Sequence, residues 1–191
     1  VTGNGVVIDL GPGSDNHRLS LIGFRGTGKT TVGRLLASRL GASFVDVDAA
    51  IEHRLDQTIA EVFQARGEAA FRDEEQQALG EIIDAAGPNG LVIATGGGAV
   101  LRDQNRDLLR RFGPVFWLDA TPETVLERLA SAPRGQRPPL TDQPLDLEVR
   151  ALLASREPLY RETATLRIVT DGRRPEQVAG AVIEALLGAR T

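Results

Sequence analysis

From Leu19 onward the chain alternates two hydrophobic rhythms. Short apolar runs recur at Leu19–Ile22, Ser43–Asp46, Leu91–Thr95, Pro114–Leu118 and Leu166–Thr170, each of strand length and bounded by polar or turn residues. Between them, apolar positions return every three or four residues. Val32, Leu35, Leu36 and Leu40 make one such face, which Gly41 ends, and Thr121-Pro122-Glu123 reads as the cap, first position and first turn of a helix reaching Ala130. A further amphipathic pattern enters at Ile59 and reaches about Ala86. Five strands separated by helices predict an α/β fold in a single domain, a five-stranded parallel sheet with helices on both faces. Such sheets bind ligands beyond the carboxyl ends of their strands, so the polar residues there become the candidates for function.

Two stretches stand outside this rhythm. Residues 1–18 carry Gly, Asn, Asp and Ser around Val6-Val7-Ile8-Asp9-Leu10, and both a tail and an added edge strand fit that pattern. The segment from Ser131 to Pro144 is rich in Pro, Arg, Gly and Gln without apolar periodicity, which predicts a mobile lid of about residues 131–144 on a domain spanning 19–191.

Composition narrows the reading. The length of 191 residues suits one domain, with 41% hydrophobic and 25% charged residues, and no apolar run approaches the length that spans a bilayer. Cysteine is absent, which removes disulfides, thiolate metal sites and a thiol nucleophile. Methionine is also absent, so the sequence begins after a removed initiator or within a longer chain. No secretory signal pattern opens it, and a cytoplasmic monomer without membrane partners is the default expectation. The net charge of −4 argues against a general affinity for nucleic acid, which asks for a basic face. Any anionic ligand must be met locally, by arginines that the fold gathers.

The chemistry concentrates at strand ends. Gly23-Phe24-Arg25-Gly26-Thr27-Gly28-Lys29-Thr30 follows the first strand and opens a helix-like segment from Thr31; it reads as a phosphate-binding P-loop. Its glycines let backbone N–H groups converge on an anion at a helix N-terminus. Lys29 then reaches terminal phosphates, and the Thr30 hydroxyl offers an oxygen to Mg²⁺. The second strand ends in Asp46-Val47-Asp48, two acids that strand alternation sends to one side; the bland alternative is a helix cap at Asp48. Arg72 and Glu75 are spaced as a helical ion pair, either at the surface or with Glu75 aiming Arg72 at a ligand carboxylate. Thr95-Gly96-Gly97-Gly98 closes the third strand with no acid for a metal, which leaves Asp46 on the neighbouring strand as the candidate. Arg134 and Arg137 on the lid are placed to meet the charge of a transferring phosphoryl group.

Six pieces in order, GFRGTGKTTVGRLLA, FVDVD with the following IE, VFQARGEAAFRDEE, ATGGGAV, the arginine-proline of the lid and REPLYRETA, resemble the shikimate kinases, from Leu19 to about Leu187. The resemblance implies a P-loop kinase that moves the γ-phosphoryl of ATP to the 3-hydroxyl of shikimate. It implies that Gly26, Thr27, Gly28, Lys29, Thr30 and Thr31 hold the nucleotide, and that Thr30 and Asp46 hold Mg²⁺. Asp48 then contacts the shikimate hydroxyls, and Arg72, Gly96, Gly97, Gly98 and Arg156 complete the acceptor site, the arginines meeting the carboxylate. Lys29, Asp48 and the lid's Arg137 are the implied catalytic residues, and Arg128 with Arg173 and Pro175 the adenine contacts. The lid departs from the family pattern, reading Arg137-Pro138-Pro139-Leu140 where leucine usually follows the first proline. A kinase of another hydroxy acid such as gluconate, and a nucleotide-binding switch or chaperone without catalysis, are the alternatives. The triple glycine and the arginine of GEAAFR favour shikimate over gluconate, and a switch has no need of Asp48 or of acceptor-site arginines.

Overall fold

A computed structural model describes residues 17–131 and 144–188. All five expected strands form one parallel sheet: β1 (Arg18–Ile22), β2 (Ser43–Asp46), β3 (Leu91–Ala94), β4 (Val115–Asp119) and β5 (Leu166–Val169). Their order is β2-β3-β1-β4-β5. β1 therefore lies at the centre, paired with β3 from Leu19↔Val92 to Leu21↔Ala94 and with β4 from Ser20↔Val115 to Ile22↔Trp117. The loop that follows β1 opens at the middle of the sheet's carboxyl edge, flanked by the ends of both neighbours.

The central strands are largely apolar, β3 without interruption and β4 from Val115 to Leu118, because both faces of the sheet are covered there. Leu19, Leu21, Val92, Phe116 and Leu118 turn to one side, where Val32 and Leu36 of α1 (Lys29–Leu40) and Val178 and Val182 of α7 (Pro175–Gly188) complete a core. Ile22, Ile93, Val115 and Trp117 turn to the other. There they meet α2 (Val47–Leu55), α3 (Ile59–Asp84), α4 (Asp103–Phe112) and Tyr160 of α6 (Leu145–Thr163). A third, smaller cluster joins Phe24 of the P-loop to Val125 of α5 (Pro122–Ala130) and Val149 of α6.

Helix ends follow local chemistry. Gly41 stops α1 in the left-handed region at φ 65°, its N–H on the Ala37 carbonyl. The Thr121 hydroxyl accepts the Thr124 N–H at the start of α5, with Pro122 at the first position, as the sequence predicts. Thr58 and Glu61 form a reciprocal capping box for α3. Within α3, Gly67 at φ 78° and ψ 170° breaks the helical path, so the pattern read as running to about Ala86 is two helical segments meeting at an angle.

Two boundaries, the starts of α1 and α2, differ from expectation in ways that matter for the site. α1 begins at Lys29, two residues early, because the left-handed Gly28 starts the helix at once. β2 ends at Asp46 and α2 begins at Val47 without a linker. The two acids are therefore not alternate residues of one strand: Asp46 caps the helix, its carboxylate accepting the Ala49 N–H, and Asp48 sits in the first turn. The cap read at Asp48 belongs to Asp46. The N-terminal stretch 1–16 and the lid segment 132–143, with Arg134 and Arg137, lie outside the described residues.

Gly23 is where the chain leaves β1 for the loop. Its φ is 136°, and a Cβ there would fall 2.2 Å from the Leu118 carbonyl oxygen of β4, so both backbone conformation and space exclude a side chain. Gly23→Ala is expected to destabilise the protein by about 2–4 kcal/mol, read as a lower urea midpoint at unchanged slope.

Candidate active site

The P-loop folds back on itself through Lys29. Its Nζ donates to the carbonyls of Gly23 and Phe24, both at 2.8 Å, although the side chain is buried. The Thr27 hydroxyl donates to the Phe24 carbonyl at 2.8 Å. Two left-handed glycines, Gly26 at φ 83° and Gly28 at φ 93°, turn the intervening backbone toward the start of α1, where unpaired N–H groups favour an anion. The Thr30 hydroxyl donates to Asp46 Oδ2 at 2.6 Å. The first turn of α1 and the end of β2 thus converge, and the acid expected to assist Thr30 stands beside it.

The triple glycine at the end of β3 is the wall opposite. A Cβ on Gly96 would come within 2.5 Å of Asp48 Oδ1 and 2.7 Å of Glu75 Oε1, and one on Gly98 within 2.3–2.6 Å of the Arg72 guanidinium. A Cβ on Gly97 would meet the backbone nitrogen of Arg25 at 3.2 Å. The glycines are therefore a packing requirement: three charged side chains and the P-loop backbone occupy the space that Cβ atoms would need. The Gly97 carbonyl is taken from the other side by Arg156 Nη1 at 3.3 Å and by the Tyr160 hydroxyl at 2.5 Å. Burial pushes the Tyr160 phenol well above its ordinary range, so it serves as a neutral donor.

Arg72 and Glu75 are not a surface pair. Glu75 is 1% exposed and the Arg72 side chain 12%, with Nη1 on Glu75 Oε2 at 2.8 Å. Glu68 holds a second edge of the guanidinium at 3.0 Å. Arg72 also lies over the Phe71 ring, 5.2 Å from its centre. Glu75 thus fixes a cation in the cleft. Its own Oε1 has no hydrogen-bond partner among the described residues, and burial raises its pKa against the pull of Arg72. Spacing alone could not separate this from a solvated pair, because i, i+3 acids and arginines look identical on an exposed helix face.

Asp48 lies deep in this cluster while keeping some accessible surface. Burial first, then the neighbouring Glu75 and Asp46 carboxylates, raise its pKa to about 7, and Lys29 and Arg72 only partly oppose them. A carboxyl poised near neutrality beside a phosphate loop suits proton transfer.

Arg128, on the last turn of α5, ties the P-loop to the far edge of the sheet. Its Nη1 donates to the Gly26 carbonyl at 3.3 Å and the Thr170 hydroxyl at 3.0 Å, and its Nη2 to the Thr170 carbonyl at 2.9 Å. The same Thr170 carbonyl accepts the Arg173 N–H, and Pro175 opens α7 beyond. Arg128, Arg173 and Pro175 are thus brought together beside the loop, away from Asp48, Arg72 and Arg156. Sequence reasoning passed over one pair altogether: Arg25 of the P-loop meets Glu148 on α6. Its only signal is a glutamate set between Leu147 and Val149 in the first turn of α6.

The sequence model of a family described as shikimate kinase matches residues 25–187. A shikimate kinase of Symbiobacterium thermophilum is 49% identical over 170 residues, covering 87% of this chain and 94% of its own. Among solved structures, a shikimate kinase from Acinetobacter baumannii in complex with shikimate superposes with a TM-score of 0.84 at 36% identity, over 91% of this chain and 94% of that one. A gluconokinase from Sinorhizobium meliloti superposes at 0.54 with 17% identity, over 93% and 94% of the two chains, a likeness of fold alone.

The acidic cluster makes a prediction independent of any ligand. The folded chain keeps a proton on Asp48 up to about pH 7, whereas the unfolded chain releases it near the model-peptide value of 3.8. Its contribution to stability is therefore full below about pH 4 and is lost as pH rises through about 7. Without nucleotide, the melting temperature should fall between pH 5 and pH 8, and Asp48→Asn should flatten that fall and melt higher than wild type at pH 8. An unchanged slope in the variant would remove Asp48 from the buried cluster.

Proposed function

The chain belongs to the shikimate kinase family, and from that premise we propose that it transfers the γ-phosphoryl of ATP to the 3-hydroxyl of shikimate. The observation that carries the reading is the convergence on Gly96–Gly98 of two carboxylates, Asp48 and the Arg72-paired Glu75, and two cations, Arg72 and Arg156, directly across from the P-loop. An acceptor with a carboxylate at one end and hydroxyls at the other matches that polarity. Arg72 and Arg156 hold the carboxylate by charge-assisted bonds. The hydroxyl then faces Asp48, which orients it and accepts its proton as the oxygen bonds to the γ-phosphorus and the bond to the β-phosphate oxygen breaks. Lys29 exchanges its loop carbonyls for phosphate oxygens and steadies the charge of the transfer.

Gly26, Thr27, Gly28, Thr30 and Thr31 line the phosphate side, and the adenine lies toward Arg128, Arg173 and Pro175. Arg137, outside the described residues, is the arginine that the family resemblance assigns to the phosphates. Among the described residues no three His, Cys, Asp or Glu gather to cage a metal. That suits Mg²⁺, which keeps several waters and takes few protein ligands. Thr30 and Asp46, already 2.6 Å apart, are the two oxygens that would hold it. Bound there, Mg²⁺ would neutralise phosphate charge.

The test is ADP release by the purified chain with shikimate, with gluconate and with no acceptor. Rapid turnover is expected with shikimate alone; equal rates with gluconate, or without acceptor, would overturn the assignment. Arg72→Ala should raise the KM for shikimate about 10-fold or more, the worth of one charged hydrogen bond, and leave that for ATP unchanged. The opposite pattern would place Arg72 in the nucleotide pocket.

A further inference from the structure

A buried carboxylate must be answered by a cation, since an isolated charge in apolar surroundings is costly. Glu148, in the first turn of α6, is 1% exposed. Among the described residues, one group that meets it is the guanidinium of Arg25, third residue of the P-loop. Beside this contact, Val149 packs against Phe24, so α6 grips the loop through one ionic and one apolar neighbour. Two turns further along the same helix, Arg156 donates to the Gly97 carbonyl at 3.3 Å while lying 5.7 Å from the centre of the Phe24 ring. One turn beyond, Tyr160 donates to that carbonyl at 2.5 Å. One helix therefore holds both walls of the cleft, the phosphate loop by its first turn and the glycine turn by its middle. The walls come close enough that a Cβ on Gly97 would lie 3.2 Å from the Arg25 backbone nitrogen.

The geometry points to Arg25 and Glu148 as a positioning pair: their contact sets where the P-loop stands relative to the Gly96–Gly98 turn, and hence how far the donor phosphate lies from the acceptor hydroxyl. Neither residue needs to touch a substrate for this. In-line transfer depends steeply on approach, and a displacement of about 1 Å can cost on the order of 100-fold in rate. The pair acts on the separation between two binding sites and leaves the contents of each intact, so its loss shows in kcat and spares both KM values. This rests on the phosphoryl-transfer reading above.

The experiment is a double-mutant cycle of Arg25→Gln and Glu148→Gln, measuring kcat and both KM values with ATP and shikimate well below each variant's melting temperature. Each single change should lower kcat about 10- to 100-fold with both KM values within about threefold. The double variant should be no slower than the slower single one, because both remove the same contact. Should a single variant fail to fold, the double variant, which removes both charges of the pair together, carries the test: low kcat with retained KM supports the pair, and wild-type kcat overturns it. Independent, multiplying losses, or losses in KM alone, also overturn it. Wild type is assayed alongside. If wild type fails on shikimate, the proposed reaction is refuted; if wild type is active and the variants match it, only the positioning role is refuted.

Discussion

Two carboxylates buried side by side at the end of β3 set the terms for the rest of the site. Asp48 and Glu75 both press on Gly96, and bringing them out of water together is unfavourable unless cations or protons answer them. Arg72 answers Glu75 directly, Lys29 and Arg72 act on Asp48 from a distance, and the remaining imbalance appears as a raised proton affinity. The backbone must then be thin enough to admit all of these charges, which is why three glycines in succession close the strand.

The sheet makes the meeting possible by its order. With β1 central and β3 beside it, the P-loop and the triple glycine leave adjacent strands at the same edge. β2, on the far side of β3, delivers Asp46 and Asp48 to the same place from outside. Helix α6 crosses from the loop to the glycine turn and so adds a second tie between two neighbouring strand ends. The apolar periodicity of the chain and its chemistry are thus one design: the residues that bury the strands also fix which strand ends are neighbours.

Much of this was legible in the sequence, and its limits have physical causes. The five strands stood out because covered sheet faces leave mostly apolar runs, unbroken in β3 and from Val115 to Leu118 of β4. The P-loop, the Thr121 cap and the Gly41 stop each rest on a local rule that tertiary packing did not overturn. The path between Asp46 and Asp48 was misread because period-two alternation assumes that the strand continues, and α2 starts at the next residue. The burial of Glu75 was invisible because a helix face reveals its surroundings only when its partners are known. The contact of Arg25 with Glu148 spans 123 positions, and no local pattern announces a pair so far apart.

Asp46 spends its two carboxylate oxygens on different neighbours. Oδ1 accepts from the Ala49 N–H and so begins α2, while Oδ2 accepts from the Thr30 hydroxyl of α1. A cap alone could be Ser, Thr or Asn, since any of them offers one acceptor. A partner for Thr30 beside bound phosphate calls for anionic oxygen, which Glu could also provide but from a chain too long to close the cap. The intersection of the two demands is a single amino acid. Freedom to vary at this position is therefore narrower than either duty would impose, and in a library of substitutions it should be among the least tolerant sites in the chain even though it is not fully buried.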